Sequence, residues 1–195
     1  MKKLLISASL AASAVLPSAA MAQAVPPAIV AVVDVDRVRS TCNACKTAIA
    51  ALQSQATAQE SREKTLGTPL QTEQQSIQTA INALNGKEPD AALKQRANAF
   101  QTKLQQAQEE ATRGRQQLQA NQQYVIKQID DKLNTIFSQV MQRRGANILI
   151  EQGVTLATTT SVDITNDVLA ALNSSLTTIS TTAPAAPRST TPQGR

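Results

Sequence analysis

From residue 38 to residue 84, apolar or small side chains return every four or three positions. The series runs Val38, Cys42, Cys45, Ile49, Leu52, Ala56, then through polar Gln59 and Glu63 to Leu66, Leu70, Glu73, Ile77, Ala80 and Leu84. Such a heptad seam predicts a long helix that supercoils against a partner. Gly67-Thr68-Pro69 predicts a kink or interruption, because proline lacks an N–H and disfavours helix in the residue before it. The segment Asn85 to Asp90 gathers turn formers and has no apolar residue, so it reads as a reversal. The seam then resumes through Leu93, Ala97, Phe100, Leu104, Ala107, Ala111, Gly114, Leu118, Asn121, Val125, Ile129, Leu133, Ile136 and Val140. Residues 37–144 are therefore expected to form an antiparallel hairpin turning at 85–90, with arms about 70 to 80 Å long at ~1.5 Å rise per residue. Because many seam positions carry Ala, Gly, Asn, Gln or Glu, the arms should hold together loosely and bend.

Outside the arms the period changes. The β-branched run Ala28 to Val35 reads as a strand covered on both faces. Asn147 to Gly153 and Val154 to Thr158 read as two short strands joined at Gly153. In the segment that follows, Asp163 or Thr165 can cap a short helix whose apolar face is Ile164, Val168, Leu169 and Leu172. From about Thr177 the Thr/Pro/Ala composition has no periodicity and is expected to be disordered, with 181–195 as a free tail. The fold class is α+β: a small β body, 23–36 plus 145–180, carrying the hairpin. A body of roughly 45 residues buries little surface and leaves open strand edges, so strands from several chains are expected to join into one shared sheet or barrel.

The first 22 residues read as an export signal. Lys2 and Lys3 precede an apolar run from Leu4 to Leu16, and Ala20-Met21-Ala22 supplies the small residues of a cleavage site after Ala22. The run is shorter than the ~20 residues a membrane span needs. Charge then loses most of its meaning. Lys2 and Lys3 leave with the leader and Arg188 and Arg195 sit in the tail, taking 19 Lys and Arg against 14 Asp and Glu down to 15 against 14. Nucleic-acid binding is disfavoured, since it calls for a basic stripe with stacking rings and this chain has only Phe100, Tyr124 and Phe137. Histidine is absent, which removes the commonest general base and metal ligand. No cofactor is expected and the chain does not read as an enzyme.

Cys42 and Cys45 are the only cysteines, in C-x-x-C spacing. A thiol oxidoreductase would need alternating strands and helices downstream, where two long heptad arms stand instead. A structural zinc site would need four ligands. Both cysteines also fall on steps of the seam. Buried free thiols, a bond within one chain and a bond between chains all remain open.

Together, an exported chain, "VAVVDVDRV" running into a long helix, a hairpin of arms, "GANILIEQG" and "DITNDVLAALN" resemble the Skp/OmpH family of periplasmic chaperones over roughly residues 29–173. The resemblance implies a jellyfish-like homotrimer in the periplasm, whose strands form a common body and whose helical hairpins surround a cavity. There the family holds unfolded outer membrane β-barrel proteins without ATP. It departs from this chain at the arm tip: family members are typically strongly basic, whereas Lys87, Glu88 and Asp90 nearly cancel. Electrostatic capture of clients, and contact with a membrane surface, should be correspondingly weak. Candidate client-facing residues are Leu70, Ile77, Leu84, Leu93, Phe100 and Leu104, although seam positions usually pack a hairpin against itself. The competing reading is a periplasmic structural coiled-coil or adaptor protein.

Overall fold

The computed structural model of the protein describes residues 25–184. The expected leader, with its cleavage site after Ala22, and residues 185–195 of the expected tail lie outside that range.

Strand β1 (Val30–Val33) buries Ala31, Val32 and Val33 in succession, so both of its faces are covered. Asp34 ends it and starts α1 (Val35–Thr41), its carboxylate accepting a 2.8 Å bond from the Arg37 N–H. At Cys42 the backbone leaves the helix (φ −61°, ψ 146°), and α2 (Asn43–Ala83) begins. The reversal uses left-handed backbone at Asn85 (φ 47°) and Gly86 (φ 88°). Asp90 then caps α3 (Ala91–Arg144) by accepting from the Leu93 N–H, and Gly145 (φ 68°) closes it. Strand β2 (Ile148–Glu151) lies parallel to β1, with Val30 opposite Ile148 and Val33 opposite Glu151. A 3₁₀ turn (Gln152–Val154), a loop and α4 (Thr165–Ser175) follow. Parallel neighbours need a crossover connection. Here the crossover is drawn out into the whole hairpin.

The buried core does not stop at the body. Ala31 and Val33 of β1, Val38 of α1, and Ile164, Val168 and Leu172 beside and on α4 join one cluster with Cys42, Cys45 and Ala48 and with Val125, Leu133, Ile136 and Val140 of α3. The body thus completes its core with the roots of both arms, and so has more apolar surface to bury than its own residues provide.

Five expectations need correction. The first helix is not continuous from residue 37, because it breaks at Cys42. Gly67-Thr68-Pro69 does not end α2, which runs through Pro69. Pro69 offers no N–H to the Thr65 carbonyl, but Thr65 is exposed and water can serve that acceptor. The hydroxyls of Thr65, Thr68 and Thr72 each bond back to a carbonyl one turn earlier. Val154 to Thr158 forms no strand, since no strand among the described residues lies beside it, and Leu156 is fully exposed. Ile49 is not a seam residue: it is 51% exposed, while its neighbour Ala48 is buried. Finally, residues 177–184 are ordered against the arm roots. Leu176 is buried, Ile179 packs against the core, and Ser180, Thr181 and Ala183 are hydrogen-bonded to Gln128, Gln55 and Asn121. The expected free tail therefore begins no earlier than residue 185.

Candidate functional site

The arm root is built where the two most distinctive sequence segments meet. Val32 of "VVDVDRV" exchanges backbone bonds with Val162 and Ile164, at 2.8 and 2.9 Å. The Asp34 N–H donates to Thr165 Oγ1 (2.9 Å), and Thr165 is itself fully buried. Asp163 accepts from both the hydroxyl and the N–H of Thr165, which holds its carboxyl below the usual aspartate range against partial desolvation; nearby Arg37 adds to this. Arg37 Nη2 donates to Asn166 Oδ1 (2.9 Å), Asn173 Oδ1 accepts from the Asn43 N–H at the start of α2 (2.8 Å), and Arg144 pairs with Asp167. These motifs fix the angle at which the arm leaves the body. They are scaffold.

Cys42 and Cys45 form a disulfide within the chain, and both are fully buried. Of the readings left open, this one holds. A redox centre needs a thiolate that an exchange partner can reach. Here neither sulfur presents surface, and the bond locks the break between α1 and α2. Among the described residues, no three Cys, Asp or Glu side chains gather in a way that could hold a metal ion.

The six seam residues proposed to face a client pair across the hairpin at three levels. Leu70 and Leu104 line a cleft of about 520 Å³ together with Leu66, Gly67, Ala107 and Ala111. Ile77 and Phe100 meet further out at a smaller cleft of about 250 Å³, beside Ile81. Leu84 and Leu93 line a third, of about 540 Å³, at the tip. Ile77 and Phe100 are 7% and 8% exposed, so they hold arm to arm. Leu70, Leu84, Leu93 and Leu104 are half-buried and keep one side open. Ile81, which lies off the seam, is exposed and was missed by the seam reading; only its chemistry, an isoleucine on a polar face, could have marked it.

Between the first two levels, and on the root side of the first, the arms are joined by charge. Arg96 pairs with Glu73 (2.7 Å), Arg115 with Glu63 (3.0 Å), and Arg62 with Glu110. The bonds from Arg96 to Glu73 hold that carboxyl below the usual glutamate range. Glu63 is lowered first by the amide of Gln59 and then by Arg115. Such exposed pairs contribute little to stability. They set the register of one arm on the other.

The family described as outer membrane protein (OmpH-like) matches residues 29–172 of this chain. A solved structure of a candidate outer membrane chaperone (OmpH-like) from Caulobacter crescentus CB15 superposes with a TM-score of 0.66 at 22% identity, covering 80% of this chain and 90% of that one. None of the curated proteins matches. The matched span takes in both strands and the whole hairpin and ends within α4, so the chain belongs to the OmpH-like family.

Proposed function

We propose that this protein is an ATP-independent holdase of the periplasm, exported by a leader cleaved after Ala22, that keeps unfolded outer membrane β-barrel proteins from aggregating between its helical arms. One observation carries the reading: a 54-residue helix packs on a 41-residue one through a distal seam that closes fully only at Ile77 and Phe100. Such a seam offers moderate apolar contact at Leu70, Leu84, Leu93 and Leu104 without imposing one geometry. An unfolded chain would be held by many weak contacts, with affinity arising from their number.

The active species in this reading is a homotrimer. The outer edge of β1 is bridged at Val32 by Val162 and Ile164, but that of β2 has no neighbour among the described residues, and Ile29, Ile148, Val154 and Leu156 stand exposed on the body. Exposed apolar side chains beside an unpaired strand edge suit an assembly face. The near-neutral tip at Lys87, Glu88 and Asp90, where Glu88 also lies near Lys94, makes electrostatic capture secondary.

The test is to dilute a urea-unfolded outer membrane barrel protein into buffer with the purified protein and follow turbidity, with molar mass measured by light scattering. Suppression at one trimer per client and a mass of three chains are expected. A trimer that leaves turbidity unchanged would favour a structural or adaptor role, and a mass of one chain at micromolar concentration would remove the assembly.

A further inference from the structure

Residues 177–184 run without regular secondary structure, with a bend at Thr182, along the groove between α2 and α3 near the arm root, and are held there by side-chain amides. Gln128 closes a two-bond ring on Ser180: its Nε2 donates to the Ser180 carbonyl (2.8 Å) and its Oε1 accepts from the Ser180 N–H (3.0 Å). Asn121 Oδ1 accepts from the Ala183 N–H (2.8 Å), and Gln55 Nε2 donates to the Thr181 carbonyl (3.1 Å). All four bonds go to backbone, and only a longer contact from Gln55 to the Thr181 hydroxyl (3.3 Å) reads a side chain.

We propose that this groove is a receptor for extended polypeptide backbone, occupied here by the chain's own residues 177–184, and that an unfolded client segment competes with them for it. The inference rests on the holdase reading and adds a site to it. A receptor that bonds backbone N–H and C=O groups is indifferent to sequence, as a holdase with varied clients requires. Its amides are oriented in advance. Asn121 is buried on the seam, accepts from Gln117 (2.8 Å) and donates to Gln55 Oε1 (2.8 Å), which aims Gln55 Nε2 at the strap.

The strap is built to be displaced. Its apolar anchors end at Leu176 and Ile179, and beyond them Ser180-Thr181-Thr182-Ala183 has no large apolar side chain to bury. Its Thr-rich, β-branched composition suits an extended conformation, which is how a client strand would enter. Being tethered, it competes at a high effective concentration and lowers apparent client affinity by its occupancy.

Proline substitution tests this without altering the receptor. Ser180→Pro with Ala183→Pro in the full chain removes the two N–H groups that Gln128 and Asn121 accept. A second form ends the chain after Leu176. Affinity for the urea-unfolded barrel protein is measured by fluorescence anisotropy, alongside a labelled peptide of residues 177–184. Both forms should bind the unfolded protein about fivefold more tightly than the parent. The peptide should bind the truncated chain but not the full one, leave it as unfolded protein is added, and lose its binding when Gln128→Ala is introduced. Unchanged or weaker client affinity in the proline variant, or a bound peptide that unfolded protein does not displace, would overturn the inference. If the parent suppresses aggregation while these variants behave like it, only the strap proposal falls. If the parent fails to suppress aggregation, the holdase reading and this inference fall together.

Discussion

The root and the distal half of the hairpin are made from the same two helices yet obey different physics. At the root, α3 presents Val125, Ile129, Leu133, Ile136 and Val140, all buried, to a core shared with both ends of the body and locked by the Cys42–Cys45 disulfide. Beyond Gln59 the seam turns to Glu63, Glu73, Ala107, Ala111 and Gly114, and the arms are joined by ion pairs around one buried apolar level, Ile77 with Phe100. The difference assigns two tasks to one element. The root sets direction, and the distal arm supplies yielding surface.

Substitutions that open a cavity should separate the two halves most sharply. Leu133→Ala or Leu172→Ala removes a fully enclosed side chain and should cost about 3 kcal/mol of global stability, read as a lower urea midpoint. Phe100→Ala should instead speed amide exchange in neighbouring turns of the distal arm, with the global midpoint little moved. Equal midpoint shifts would erase the contrast.

The disulfide comes next in size. Denatured, unreduced protein should show no free thiols, and Cys42→Ser with Cys45→Ser should lower stability by about 2 kcal/mol through the lost restraint on the unfolded chain. A free thiol in the intact protein would contradict the pairing.

At the open levels the expected effect falls on binding. Leu84→Ser with Leu93→Ser should weaken aggregation suppression severalfold while leaving the melting curve in place, because both side chains are only half-buried. A lowered melting temperature with unchanged suppression would make them packing residues alone.

The smallest effect is the response to acid. Glu63 and Glu73 sit below their ordinary pKa of 4.5. Their contribution is therefore complete above about pH 4.5 and is lost as pH falls through the lowered folded values. Amide exchange in the distal arm, corrected for intrinsic rates, should rise in that acid window before the root responds. An arm indifferent to pH there would make these pairs ornamental.

Much of this division was legible in the sequence because a heptad reports both its period and the size of what fills it. Every seam position from Leu52 to Leu84 and from Leu93 to Val140 is buried or half-buried. The pattern failed where tertiary context chose between neighbours, as with Ala48 over Ile49, since a close approach at a crowded root favours the smaller side chain. It also failed at Cys42, because a heptad step looks the same whether or not the backbone breaks there. The strap was hidden because Ser180, Thr181 and Ala183 bind through their backbone, which composition cannot show. Its receptor did leave a trace: Asn121, a polar residue on a buried step, needed a partner.

Hydrogen exchange on the purified protein, with and without an unfolded outer membrane barrel protein, tests the central claim most directly. The account predicts fast exchange in the distal arm, protection there on client binding at the Leu70–Leu104 and Leu84–Leu93 levels, and a root that stays slow throughout. Protection confined to the body, or a root that exchanges as fast as the tip, would contradict it.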